Sequence, residues 1–331
     1  MSNNKNNESS CRLGTVGGQA VLEGVMMKSK DLVALSVRGI DGNITTEVNE
    51  FKSIRTKHKI LNIPILRGII NFVETMILSF KTLTRSADLL GIEEEESKFE
   101  KWLSEKFGKS VTAIASAIGT VFGLALAVLL FIYLPTQLAE FVKLINDNRF
   151  LISVIEGIVK ILIFVLYIYL CGLIPDMKRT FQYHGAEHKS IFCHESGLEL
   201  TVENVKKQVR FHPRCGTSFL FVMMFLGIIF TMFIIHLPVF VRVPLKILFL
   251  PLIVGVGFEF IKFAGTHNNF FVRALSAPGL LIQRLTTKEP DEQQIEVAIA
   301  SLKASLPDIY PKEDTIDENN STQGEQSSDI Q

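Results

Sequence analysis

Several common protein classes are excluded by what the chain lacks. None of its four cysteines (Cys11, Cys171, Cys193, Cys215) stands in a C-x-x-C pair, so no disulfide framework is expected and the thiols read as reduced. Its 331 residues carry no net charge, with Lys+Arg and Asp+Glu equal at 34 each, so nothing draws it globally toward nucleic acid and no such partner is expected. The first twenty residues, MSNNKNNESSCRLGTVGGQA, hold no apolar run, so neither a cleavable secretory signal nor a lipid anchor at Cys11 is expected. What the chain has is apolar length: 47% of it is hydrophobic and the mean hydropathy is +0.29, high for a soluble protein.

Crossing roughly 30 Å of hydrocarbon takes about 20 mainly apolar residues. Four segments qualify: 112–134, 151–174, 218–241 and 245–264, the last with Pro251, which predicts a kink. A fifth run, ILRGIINFVETMILSF (65–80), is too short and carries Arg67 and Glu74, and it reads as an interfacial or re-entrant amphipathic helix starting near Pro64. The connection 175–217 holds seven basic residues against two in 135–150, and the turn near Arg242 has little more, which places that connection and both termini in the cytoplasm of a multi-pass plasma-membrane protein. The lipid bilayer is thus the first expected partner.

Outside the spans, apolar–polar alternation flanks Asp41-Gly42-Asn43, a strong hairpin signal. The acidic run IEEEESKFE (92–100) reads as a solvated helix start, and EPDEQQIEVAIASLKAS (289–305) as a helix with an apolar stripe of Ile295, Val297, Ala298, Ile299 and Leu302. The fold class is therefore a mainly α integral membrane protein of four transmembrane helices, with an N-terminal cytoplasmic β-hairpin and an interfacial helix. The expected organisation is a disordered stretch 1–16, a motif and hairpin segment 17–63, amphipathic helices 64–110, and a four-helix membrane unit 111–265 that includes the 175–217 loop. C-terminal cytoplasmic helices 266–310 and a disordered tail 311–331 complete it.

The chemistry gathers in the 175–217 loop. YHGAEHKSIFC (183–193) contains H-x-x-E-H, which on a helix sets His184 and His188 on one face, able to share a metal, with Glu187 beside them as a general base. Gly185 weakens a helix there by about 1 kcal/mol relative to Ala. The alternative is that these residues simply hydrogen-bond at the membrane surface. FHPRCGTSF adds His212 and Cys215, both good zinc ligands, and Glu203 lies in the first turn of a short helix capped by Thr201. If His184, His188, His212 and Cys215 all bind one zinc the shell is closed and structural; a catalytic site keeps a position for water. Within the spans, Glu156 and Lys160 are four apart and are expected to pair near the outer interface. Glu259 either pairs with Lys262 or joins the cytoplasmic site, where His267 in the following THNN is a further candidate.

GGQAVLEGVMMK (17–28), YHGAEHKSIFC, HPRCGTSF (212–219) and APGLLIQRLTTKEPDEQQIEVAIASLK (277–303) together closely resemble the YqhQ family of bacterial membrane proteins of unknown function, over about residues 17–306. Members are commonly labelled metal-dependent enzymes, a label that rests on motifs of this kind. The resemblance adds Gly17, Gly18, Gln19 and Glu23 as a second polar element on the side of the histidines; the plainer reading makes 17–28 a tight entry to the hairpin with Val21, Leu22, Val25, Met26 and Met27 as core. The function expected is a metal-dependent hydrolase, zinc being the divalent cofactor and a lipid-linked intermediate or membrane peptide the substrate. The rival is a non-catalytic scaffold or assembly factor with a structural zinc. A transporter lacks an evident inverted repeat, and a deaminase lacks the H-x-E and P-C-x-x-C spacings.

Overall fold

The hairpin at Asp41-Gly42-Asn43 is half of a larger sheet. The computed structural model describes residues 12–56, 58–91, 110–266 and 270–311. His267, the acidic run 92–100 and the tail from 312 onward lie outside them. Four strands, β1 (Gly17–Val21), β2 (Gly24–Lys28), β3 (Leu32–Arg38) and β4 (Ile44–Glu50), form an antiparallel meander in sequence order. Asp41 shapes the β3–β4 turn by accepting from the Asn43 amide at 3.1 Å, and Gly42 supplies the required positive φ of 83°. The β1–β2 turn is built on Leu22-Glu23, with Glu23 at φ 46°. No Asn-Gly or Asp-Gly marks it, and the two strands were legible only as apolar core.

Side chains alternate across the sheet and both faces are covered. Val25 and Met27 pack with Tyr183, Ala186, Ile295, Ala298 and Leu302, while Val21, Met26, Val33, Leu35 and Val37 pack with Leu78, Leu89 and Leu90. The second layer belongs to α1 (Leu66–Leu89), longer than the apolar run suggested. Its C-terminal turns look polar, yet Thr82 and Ser86 are buried and Arg85 pairs with Glu47 of β4. Phe72, Val73, Met76, Ile77, Phe80 and Leu83 remain exposed along one side, the apolar stripe of an interfacial helix. Glu74 accepts from Ser53 Oγ at 2.8 Å and the Ile54 amide at 2.7 Å.

Helices α2 (Ser110–Val128) and α3 (Leu134–Lys143) are joined by a π-helical turn, Leu129–Tyr133. The first apolar helix therefore runs through Pro135 rather than stopping at residue 134. Proline removes one backbone donor, and the widened turn lies directly before it. Next, α4 (Arg149–Cys171) is capped by Asn148, which accepts from Phe150 and Leu151 amides at 3.0 and 3.2 Å. After α5 (Pro175–Glu195) and α6 (Val202–Lys206) come α7 (Gly216–Ile234) and α8 (Val239–Thr266), then α9 (Phe270–Thr286) and α10 (Glu292–Ser305). Four helices, Ile118–Lys143, Arg149–Cys171, Gly216–Ile234 and Val239–Phe263, are long and apolar enough to cross a bilayer, and the chain is a mainly α membrane protein.

Three expectations about the spans are corrected. The third ends at Ile234 rather than residue 241, and α8 starts at Val239, where the Pro238 carbonyl accepts from the Val241 and Arg242 amides. Arg242, read as part of a turn, is therefore inside α8 and fully buried against Glu140. Glu156 pairs with Lys246 of α8 rather than with Lys160 on its own helix. Glu259 pairs through both oxygens with Arg67 of α1 rather than with Lys262. The C-terminal stripe is as expected: Ile295, Val297, Ala298, Ile299 and Leu302 are buried, and α10 starts with an Asp291/Gln294 capping box.

Candidate metal centre

The H-x-x-E-H residues lie on a helix, but not on a continuation of the second span. The chain breaks after Cys171 and α5 restarts with Pro175 in its first turn. Gly185 has a packing reason: a Cβ there would run into the Lys288 carbonyl oxygen, so its absence lets the segment after α9 lie directly on α5. The Lys288 amide in turn donates to the Phe181 carbonyl at 2.8 Å.

That close approach orients the first histidine. His184 Nδ1 is 2.9 Å from the Thr286 carbonyl oxygen, and His188 Nδ1 is 2.5 Å from that of Arg210. A carbonyl only accepts, so both Nδ1 atoms carry a proton, and Nε2 is the nitrogen left to bind a metal when the ring is neutral. Cys215 completes a group: its Sγ lies 3.3 Å from His184 Nε2, and the ligand atoms of His184, His188 and Cys215 all lie within 4.8 Å of one another. Donors around a tetrahedral zinc with bonds of 2.0–2.3 Å stand about 3.3–3.8 Å apart, so a small closure suffices. Cys215 is also the N-cap of α7, at the positive end of the helix dipole, and Thr217 Oγ1 donates to its sulfur at 3.3 Å.

Glu187 is 4% exposed, with Oε2 3.9 Å from His184 Nε2 and without a hydrogen-bond partner among the described residues. Gly18 of β1 packs against it so tightly that a Cβ would stand 2.8 Å from Glu187 Cγ and Oε1. Burial raises this carboxyl to about 7, against the opposing pull of His184 and the Gly18 amide.

The other candidates are placed elsewhere. His212 sits beside the group, its ring centroid 5.6 Å from that of His188, but Nδ1 accepts from the Arg214 amide at 3.3 Å and Nε2 faces Glu195 Oε2 at 3.5 Å. Burial lowers its affinity for a second proton. Glu195 also pairs with Arg214 and accepts from the Gly14 amide at 3.0 Å, so this corner ties down the segment before β1. Glu203 is exposed and bonds Lys207 at 2.6 Å. Glu23 is held by Arg179 and by Tyr183 Oη at 3.2 Å, one residue from His184. Gln19 pairs in register with Met26 and so belongs to the sheet face toward α1. Glu259 is taken by Arg67.

Sequence reading missed Thr286, Arg210 and Gln283. The first two act through backbone carbonyls, which leave no residue-type signal. Gln283 grips the HPRC segment, accepting from the His212 amide and donating to the His212 carbonyl, each at 2.8 Å.

Residues 63–308 match the family described as "Protein of unknown function (DUF1385)". The chain is also 34% identical over 297 residues to "Uncharacterized protein YqhQ" of Bacillus subtilis (strain 168), covering 88% of this chain and 92% of that one. No solved structure matches. On the extent of both matches, the chain belongs to this family of unknown function, the YqhQ family.

Proposed function

We propose that the protein is a metal-dependent hydrolase working at the cytoplasmic face of the plasma membrane, with zinc held by His184, His188 and Cys215. The observation that carries this reading is the convergence of ligand atoms from His184, His188 and Cys215, with the unpartnered Glu187 Oε2 3.9 Å from His184 Nε2. Two nitrogens and a sulfur suit zinc, and three protein ligands leave a fourth position free. A zinc held there would supply Lewis acidity and make a water more acidic at neutral pH. Glu187 would accept that water's proton at Oε2, and the Thr286 and Arg210 carbonyls hold both imidazoles with Nδ1 protonated, the tautomer that ligates through Nε2. Cys215 caps the start of a spanning helix, so the group lies at the membrane edge, where a lipid-linked or membrane-peptide substrate arrives laterally. The seven basic residues of 175–217 support a cytoplasmic location for this end.

Glu187→Gln keeps the shape and removes the base. It should retain metal and membrane level yet lose complementation of a deletion strain, since a general base contributes about 10²- to 10⁴-fold in rate. His188→Ala should lose metal as well. A fully active Glu187→Gln would sink the catalytic reading. The closeness of the His212 ring to His188 favours a second reading, a four-ligand structural zinc in a scaffold protein.

A further inference from the structure

The metal group lies beside an open edge of the sheet. The strand order β1-β2-β3-β4 leaves β1 and β4 as the two edges. On β4, Glu47 and Glu50 supply charges of the kind that deter pairing with another chain. The GGQAV of β1 holds neither a charge nor a proline, and its Gly17 and Gly18 are exposed.

The neighbouring strands fix which backbone groups β1 turns outward. The Glu23 carbonyl accepts from the Arg38 amide at 2.9 Å, so the next residue, Gly24, turns its own groups toward β1, where it pairs with Val21. Alternation then gives Gln19 and Gly17 to β2 and turns the N–H and C=O of Ala20 and Gly18 away from it. The Gly18 amide points at the Glu187 carboxyl. The Gly18 carbonyl and both groups of Ala20 have no further backbone partner among the described residues. Glu187 Oε2 lies 3.9 Å from His184 Nε2, so the unfilled edge and the ligand atoms meet at one carboxylate.

Donors and acceptors alternating at strand spacing match the backbone of another extended peptide, whereas a lipid acyl chain offers neither. We propose that the substrate of the metal group is an unfolded peptide segment that pairs with the outer edge of β1 through Ala20 and Gly18. This substrate class rests on the hydrolase reading, but the pairing itself needs no metal. The reaction is then hydrolysis of a peptide bond: the C–N bond breaks, the hydroxyl of water goes to the carbonyl carbon, and its proton passes by way of Glu187 to the leaving nitrogen.

Full-length protein in detergent should bind fluorescein-labelled casein, an unfolded chain, in anisotropy titrations with or without EDTA. Ala20→Pro removes the outward N–H and leaves the bonds to β2, so it should weaken casein binding about five-fold, the worth of one backbone hydrogen bond. A photo-crosslinker avoids any effect of proline on the strand. Benzoylphenylalanine introduced at Gly17, where a Cβ meets no atom within 4 Å, should capture casein, and the same group at Thr45 of β4 should not. Capture at both positions or at neither overturns the proposal. Zinc content, measured on the same samples, separates the two readings. Zinc-bearing protein that binds no casein, or binds it equally after Ala20→Pro, overturns the peptide proposal and leaves the hydrolase reading standing. Casein binding weakened by Ala20→Pro in protein that takes up no zinc overturns the hydrolase reading and upholds the edge as a peptide site.

Discussion

At the scale of single residues, His212 and Cys215 show what spacing leaves open. Both are zinc ligands by type and stand three apart, so the sequence offers them equally. They are separated by Gln283, 71 residues further on, which pins the His212 backbone while Cys215 turns toward His184. His184 and His188, by contrast, are legible from the helical period alone. A three-ligand site predicts that Cys215→Ala abolishes stoichiometric zinc, whereas His212→Gln keeps it near one per chain; elemental analysis of purified variants measures both. Loss of zinc in His212→Gln would instead support the four-ligand scaffold.

At the scale of elements, Gly185 reverses its sequence meaning. By propensity alone, Gly185→Ala should strengthen α5 by about 1 kcal/mol. The Lys288 carbonyl occupies the place of the added methyl, and overpacking typically costs about 1–3 kcal/mol. Gly185→Ala should therefore lower the thermal midpoint in detergent, and an unchanged or raised midpoint would show that the 286–290 segment yields. The β1–β2 turn gives an acid-side test. Hydrogen bonds from Arg179 hold the Glu23 carboxyl below its ordinary 4.5, despite the opposing effect of burial. A carboxylate depressed in the folded state contributes stability that is full above its unfolded value and lost as pH falls through the folded one. Unfolding free energy should thus fall more steeply below about pH 4.5 in the wild type than in Glu23→Gln, with the two compared by urea titration at each pH. The turn escaped sequence reading because Leu22-Glu23 has no turn chemistry of its own; its left-handed Glu23 is held from outside by α5.

At the scale of the whole molecule, the apolar spans were legible because length and hydropathy are summed over many residues, so small errors at either end cancel. Their charges were not, since each found a partner far along the chain: Arg67 lies 192 residues from Glu259, and Glu140 lies 102 from Arg242. Local spacing suggested Lys160 and Lys262, but tertiary packing chose the arginine of α1 and the lysine of α8. Orientation rests on a different sum, the distribution of Lys and Arg between the two sides. Several of the basic residues in 175–217 are already in ion pairs, Arg179 with Glu23 and Lys189 with Glu289 among them. The expectation rests on the count of Lys and Arg rather than on net charge, so these pairs do not remove it. Ser196 lies in the exposed turn after α5 and Asn146 in the exposed turn between α3 and α4, on opposite sides of the bundle. With the four native cysteines replaced, a cysteine at 146 should react with a membrane-impermeant maleimide in intact cells, and one at 196 only after permeabilisation. The reverse pattern would put the metal group outside the cell and remove the cytoplasmic substrate class from the proposed function. It would leave the metal geometry itself untouched.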